Sequence, residues 1–346
     1  MLPVLFDNEE RFRQGFTRGL EKLLLDEQLG SFVLVLANAI YDEQLWIQLK
    51  STIRKRFTEL ALQVRHVLGA GRRLEHAPDD VLVFLKLMAV GLDGLQTTRF
   101  RQAGPWQLQY NQLRAFRPAR MSDACIHALH APFDNNAFHF NKAFLRKETI
   151  WEGELLGHHC RLLYNKFPFA PLHGILVMEP DERHPQYLGK FAHEYLWRLM
   201  ETLGERLPDC GFGYNSRGAC SSVNHQHVQT YVGKSNGYPV EDPIWQHNGG
   251  SHIWPLPCEV FSDADAAWHF IEELHHHNQA YNLLYRPGKL FIIQRAMQGS
   301  YQHSHWATGF AWAEVAGAIT LFNAEDFDSL QEHAIHEELE RLKTCV

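Results

Sequence analysis

Along the first hundred residues, apolar positions recur every three or four residues. Segments 9–28, 41–68 and 79–93 keep this spacing, which predicts amphipathic helices. Gly69, Gly71, Pro78, Gly91 and Gly94 punctuate them. Two runs are almost wholly apolar: SFVLVLANAI at 31–40 and VLVFLKLMAVGL at 81–92. Neither is long enough to cross a bilayer, and the second carries Lys86. The basic clusters at 54–56 and 72–73 read as solvated helix faces.

From about residue 96 the pattern changes, and aromatic and turn residues become frequent. HHCRLLYN (158–165) predicts a strand, KFPFAPLHG a loop, and ILVMEP (175–180) a second, buried strand. QYLGKFAHEYLWRLMETLGERL (186–207) predicts a long helix. CGFGYN (210–215) predicts a third strand, SRGACSSVN (216–224) a small-residue loop, and HQHVQTYV (225–232) a fourth strand. That order is an α+β unit with an antiparallel sheet. A weaker echo follows: a helix at 264–278, a hairpin at 281–295, a strand region at 306–322 and a helix at 328–343. The expectation is a duplicated fold with a helical region at 1–95, one half at 96–240 and a degenerate second half at 241–346.

Apolar residues make up 45% of the 346 and charged residues 21%. These are globular proportions and argue against disorder. A net charge of −7 excludes a strongly basic nucleic-acid binder. Cys125, Cys160, Cys210, Cys220, Cys258 and Cys345 form no C-x-x-C pair, which suits a reducing compartment. The start, MLPVLFDNEERF, has neither a basic nor an apolar leader segment. The expectation is a cytoplasmic protein without membrane or nucleic-acid partners.

Histidine is the unusual count, at 22. Composition alone predicts roughly one to two H-x-H pairs in a chain this rich in histidine, and the chain has three: 225/227, 275/277 and 303/305. The bare pair therefore carries no information, and its context does. His225, His227 and Gln229 alternate along an apolar run, so a strand would turn all three to one face. Two imidazoles and an amide on a rigid support suit attack of one imidazole on phosphorus, with the neighbours orienting it and holding oxygens. The loop before them, with Gly218, Ala219, Ser221 and Ser222, offers amides and hydroxyls to phosphate.

GYNSRGACSSVNHQHVQTYV (213–232) resembles the signature of the histidine-triad (HIT) superfamily, in the branch with H-x-H-x-Q. That branch holds galactose-1-phosphate uridylyltransferases, diadenosine tetraphosphate phosphorylases and the GDP-L-galactose and GDP-D-glucose phosphorylases. The last two are the nearest likeness. PFDNNAFHFNK (132–142) and NKFPFAPLHGILVMEP (165–180) are similar to further segments of that family. The resemblance implies that His227 is a covalent nucleophile, flanked by His225 and Gln229, forming a nucleotidyl-histidine. It implies that Asn165 meets ribose and that His173 is the pocket histidine. Asn215, Ser221, Ser222 and Asn224 match the phosphate loop, and Asn141 and Lys142 lie where phosphate or base contacts arise. Leu172 stands where the family usually has glycine, and Pro180 follows His173 by seven residues rather than five.

The implied reaction is phosphorolysis of a GDP-hexose to hexose-1-phosphate and GDP. The alternatives are a diadenosine polyphosphate phosphorylase, a hexose-1-phosphate uridylyltransferase, or a nucleotide-binding protein without turnover. The implied partners are a nucleoside diphosphate sugar or dinucleoside polyphosphate and inorganic phosphate. The scheme requires no cofactor or metal; His303 and His305 are the weaker candidate metal ligands, by likeness to the uridylyltransferases. A homodimer is the default assembly of the superfamily.

Overall fold

The computed structural model describes residues 2–117, 125–307 and 309–344; Cys345 lies outside the described residues. Four helices open the chain: α1 (Glu9–Leu23), α2 (Leu29–Tyr41), α3 (Glu43–Gly69) and α4 (Pro78–Val90). Asn8 caps α1 by accepting from the Arg11 amide, and Asp42 caps α3 by accepting from the Gln44 and Leu45 amides, which satisfies donors that a helix start leaves unpaired. The apolar run at 31–40 belongs to α2, which is buried on nearly every side. A helix apolar all round belongs in a core. No helix among the described residues is long and apolar enough to cross a membrane.

A hairpin follows, β1 (Arg99–Ala103) and β2 (Trp106–Tyr110), and then the short helix α5 (Gln112–Phe116). The hairpin was not anticipated. Its signal is the Gly104–Pro105 turn, with Gly104 at φ +59°, a conformation glycine adopts without cost.

The main sheet is built from β3 (Thr149–Leu155), β4 (His158–Tyr164), β5 (Gly174–Met178), β6 (Gly211–Asn215), β7 (Val228–Tyr231), β8 (Cys258–Phe261), β9 (Tyr281–Arg286) and β10 (Lys289–Gln294). Two helices lie between strands: α6 (Lys190–Gly204) and α7 (Ala264–His276). The eight strands run in the order β3-β4-β5-β7-β6-β9-β10-β8, and every neighbouring pair is antiparallel. The α+β class and the antiparallel sheet expected from the sequence are therefore present, as is the helical N-terminal region.

The segment 306–322 departs from the expected strand. It forms a helical turn, α8 (Trp312–Val315), and only a short strand, β11 (Ala318–Leu321), which pairs in parallel with β2. The Glu314 carboxylate accepts from the Ala311 amide at 3.0 Å and starts the turn, and Gly317 at φ +94° ends it. Capping chemistry outweighs β-branched content here. The chain closes with α9 (Ala324–Ser329) and α10 (Glu332–Arg341).

Alternation along the strands divides the sheet into two faces. One face, carrying Leu162, Val228, Tyr214 and Ile292, packs with α6, α7 and the N-terminal helices in one large core. The opposite row runs through Leu163, Ile175, Gln229, Gly213, Leu284 and Phe291, which are successive cross-strand partners. The β1–β2–β11 sheet, α8 and α10 cover the Leu284–Phe291 end of that row in a second core. Its Leu163–Ile175 end meets only a small cluster with Phe140 and Leu145. The candidate site lies between these two ends.

Candidate active site

His225 and His227 were expected inside the strand at 225–232. The strand begins at Val228 instead, and both histidines lie on the approach to it. Their backbones are paired with the segment before α6 rather than with a neighbouring strand. The Gln226 amide donates to the His184 carbonyl at 2.8 Å, and the His227 amide donates to Gln186 Oε1 at 2.8 Å. The same Gln186 donates through Nε2 to the Asn215 carbonyl at 3.0 Å and the His227 carbonyl at 3.1 Å. One buried amide thus ties β6 to the histidine segment. Sequence reasoning missed Gln186, because a lone glutamine ahead of a helix carries no local signal.

His227 is 7% exposed. Its Nδ1 lies 2.7 Å from the His225 carbonyl oxygen. A carbonyl only accepts, so Nδ1 carries the hydrogen and Nε2 keeps its lone pair. Burial drives the imidazole's pKa down to about 4 against the opposing effect of that carbonyl. His227 is therefore a neutral imidazole with a free Nε2 across the physiological range.

His225 is oriented differently. Its Nδ1 accepts from the Phe140 amide at 3.1 Å, so its hydrogen resides on Nε2. That nitrogen is buried and makes no hydrogen bond of good geometry among the described residues, with the Pro180 backbone as its electrostatic neighbour. Burial lowers its pKa to about 4, with further lowering by His227 and His139. Phe140 stacks on the His225 ring at 5.7 Å and tilts against the His227 ring at 4.9 Å. His139 and Phe133 complete this wall, with ring centroids 6.2 Å and 5.2 Å from that of His225. His139 and Phe140 were not among the anticipated site residues, although the segment 132–142 contains them.

Gln229 lies on β7. Its Oε1 accepts from His173 Nε2 at 3.1 Å and from the Trp312 indole nitrogen at 3.1 Å. The Phe169 amide donates to His173 Nδ1 at 3.2 Å, which places the His173 hydrogen on Nε2. His173 is fully buried, and burial drives its pKa to about 3, so it stays neutral. Leu172, in the place of the family's glycine, adopts φ +42°. That left-handed backbone carries a steric cost for a residue with a side chain.

The other anticipated residues divide into two groups. Asn165 borders His173: its Oδ1 accepts from the Phe167 amide at 3.1 Å, and its carbonyl accepts from Asn38 of α2 at 3.0 Å. The N-terminal helices thereby buttress the site loop. Asn141 donates to the Pro180 carbonyl at 2.6 Å and accepts from Arg161 at 2.9 Å. Lys142 donates to the Asn135 carbonyl at 3.1 Å. Ser222 is exposed.

The second group stitches the framework. Asn215 Oδ1 accepts from Asn282 at 2.7 Å and from the Trp312 amide at 2.8 Å. Asn224 accepts from the Gln186 amide at 3.0 Å and donates to the Ala131 and Pro132 carbonyls. Ser221 donates to the Val223 carbonyl at 3.3 Å. His303 and His305 turn to different carboxylates, Glu338 at 2.6 Å and Asp326 at 3.8 Å. Among the described residues, no group of three or more metal-ligating side chains is assembled.

Residues 103–231 match the family model described as GDPGP1-like, N-terminal domain. Human GDP-D-glucose phosphorylase 1 is 27% identical over 289 residues, covering 73% of this chain and 74% of that protein. The zebrafish (Danio rerio) protein of the same name is 30% identical over 142 residues, 40% of each chain. In fold, the chain is similar to yeast Ap4A phosphorylase Apa2, with a TM-score of 0.50 and 16% identity over 77% of this chain and 95% of that one. The complex of Apa2 with Ap4A gives the same score, over 79% of this chain and 100% of that one. Residues 103–231 thus resemble the GDPGP1-like N-terminal domain, and the chain is similar in sequence to proteins named GDP-D-glucose phosphorylase 1 and in fold to yeast Ap4A phosphorylase.

Proposed function

We propose that the protein is a nucleotidyltransferase that phosphorolyses a GDP-hexose through a covalent guanylyl-histidine at His227. The single observation that carries this reading is the bond from His227 Nδ1 to the His225 carbonyl. It leaves a lone pair on Nε2 in a buried ring that stays unprotonated at neutral pH. Such a nitrogen is competent to attack phosphorus without a prior proton transfer. Likeness to proteins named GDP-D-glucose phosphorylase 1 supports the enzyme class and the choice of guanosine and glucose.

In the first step, Nε2 forms a bond to the phosphorus next to the nucleoside. The bond from that phosphorus to the bridging oxygen breaks, and hexose-1-phosphate leaves with the electron pair. In the second step, an oxygen of inorganic phosphate attacks the same phosphorus. The P–N bond breaks, its electrons return to Nε2, and GDP departs. Two displacements predict ping-pong kinetics. His225 Nε2–H and the Gln229 amide are donors for the oxygens of the transferring group, while the nearby Arg161 is ion-paired with Glu152. The nucleotidyl-enzyme is the species on which phosphate and water compete. A neutral amide at Gln229 cannot activate water as a base, which favours transfer over hydrolysis.

The test is turnover with GDP-glucose, GDP-mannose, GDP-L-galactose, UDP-glucose and diadenosine tetraphosphate, each with and without phosphate. Phosphate-dependent GDP release, and an intact-mass increase of one nucleotidyl group that His227→Asn abolishes, are the expected results. Release from diadenosine tetraphosphate alone would shift the substrate to a dinucleoside polyphosphate. Turnover that needs a sugar-1-phosphate would make the protein a uridylyltransferase. Binding without any adduct would leave a nucleotide-binding protein.

A further inference from the structure

Gln229 and Gly213 are direct cross-strand partners on β7 and β6, so both face the same side of the sheet. The indole of Trp312 lies over Gly213. A Cβ placed on that glycine would come within 2.1 Å of Trp312 Cδ2 and 2.2 Å of Cε2. From this seat the indole N–H reaches the neighbouring strand and donates to Gln229 Oε1 at 3.1 Å. The ring is held on several sides. Tyr231 stacks on it at 5.7 Å with planes 10° apart, Tyr238 meets it edge-on at 5.1 Å, and Phe169 tilts against it at 5.8 Å. Its own backbone amide is anchored on Asn215 Oδ1 at 2.8 Å. Trp312 is fully buried.

A glutamine amide has one acceptor atom and one donor group, and the two have nearly the same shape. A flip therefore costs little unless the surroundings distinguish the two ends. Here both lone-pair directions of Oε1 are taken by donors: the Trp312 Nε1–H, which can only donate, and His173 Nε2–H, in the tautomer that the Phe169 amide fixes. Turning the amide over would place its NH2 against two N–H groups.

We infer that Trp312 is a positioning residue for nucleotidyl transfer: together with His173 it locks the Gln229 amide so that its NH2 faces the transferring phosphoryl group. This rests on the reading under Proposed function and deepens it. Trp312 comes from α8, in the part of the chain that the sequence suggested was degenerate. That part thus supplies a component of the catalytic apparatus without offering a reacting group of its own. Gly213 belongs to the same device, since only a residue without Cβ leaves room for the indole.

The test uses the full chain with three changes at one contact. Trp312→Phe removes the N–H and part of the ring. Replacement of Trp312 by 3-benzothienylalanine exchanges only the N–H for sulfur and keeps the ring's size, so folding is not at issue. Gln229→Ala removes the group being positioned. The expected result is a kcat lowered about tenfold to a hundredfold in both Trp312 variants, with KM for the sugar nucleotide changed less than about twofold. In the Gln229→Ala background the same Trp312 changes should have no further effect, because their target is gone. Parent-like kcat in the benzothienyl variant would overturn the inference, as would equal losses with and without Gln229. His227→Asn is the separate control. If it still turns over, the covalent reading falls and this inference with it. If it is inactive while the benzothienyl variant keeps the parent kcat, only the role of Trp312 is refuted.

Discussion

His227 Nδ1 sits 2.7 Å from the carbonyl oxygen of His225, two residues earlier in the same chain. The tautomer of the proposed nucleophile is therefore set by the chain's own backbone rather than by a carboxylate. The contact needs no histidine side chain at 225, since any residue there presents the same carbonyl; the bend of the chain at 225 brings that carbonyl to the ring. A neutral acceptor also leaves no buried charge to compensate when the ring is neutral.

Removing the reacting nitrogen should be decisive. His227→Asn is expected to lower kcat by about a thousandfold or more, without loss of the thermal transition. Steady-state rates and intact mass after brief exposure to sugar nucleotide measure both consequences. An adduct that survives the substitution would place the covalent chemistry elsewhere.

The pH profile follows from burial. His227 in the free protein titrates at about 4, so kcat/KM should hold through neutral and mildly acid pH and fall only as Nε2 becomes protonated near that value. A fall centred near 6.5, the value of a free imidazole, would contradict the buried neutral ring.

Stability should respond to acid in the same region. His173, His225 and His227 have folded values near 3, 4 and 4, below the unfolded value of about 6.5. Above 6.5 all are neutral in both states and contribute nothing to the pH dependence. Between about 6.5 and 4 the unfolded chain takes up protons that the fold refuses, so stability falls as pH falls. Each such proton costs about 1.4 kcal/mol per pH unit. Urea midpoints at pH 7.5, 6 and 5 would check this, with a flat profile as the contrary result.

Gln186 is 1% exposed and holds three backbone groups of β6 and the histidine segment. Gln186→Leu keeps the bulk but orphans those groups. A loss of about 2–4 kcal/mol is expected from the unsatisfied donor and carbonyls, together with a lower kcat, because His227 loses its backbone anchor. Chemical denaturation beside turnover would measure both.

Leu172 poses two opposed effects. Leu172→Gly would relieve about 1 kcal/mol of left-handed strain at φ +42°. It would also strip a side chain only 2% exposed from the core, which costs about 2–5 kcal/mol. Burial is the larger effect, so the variant should be less stable than the parent. A more stable glycine variant would mean that the loop can collapse around the space.

Much of this was legible in the order of residues. The 3.6-residue periodicity located α1, α3 and α4 but not α2, which is apolar all round and has no stripe, and α6 and α7 were visible from their amphipathic stripes, because helices are local structures and their caps lie beside them. HHCRLLYN, ILVMEP and CGFGYN were recognisable as strands, since alternating or continuous apolar runs mark burial on a sheet. The chemistry proposed at His227 came from the likeness of its contiguous H-x-H-x-Q context to a known family. The structure then brought Asn165, His173 and Gln229 into one hydrogen-bonded group, while Asn215 and Asn224 proved to be bound up in the framework.

What the sequence could not disclose is set by contacts across long stretches of chain. The β1–β2 hairpin is capped by β11, more than two hundred residues later, and no local pattern encodes that partner. The start of β7 at Val228 depends on Gln186, 41 positions away, capturing the His227 amide. The orientation of Gln229 depends on Trp312, 83 positions on, settling over Gly213. Residue types and local spacing determined most of the helices and strands, and likeness to a known family singled out the side chain proposed to attack phosphorus. Only tertiary packing decided which tautomers and amide orientations those side chains hold, because those are chosen by hydrogen-bond partners that folding alone brings within 3 Å.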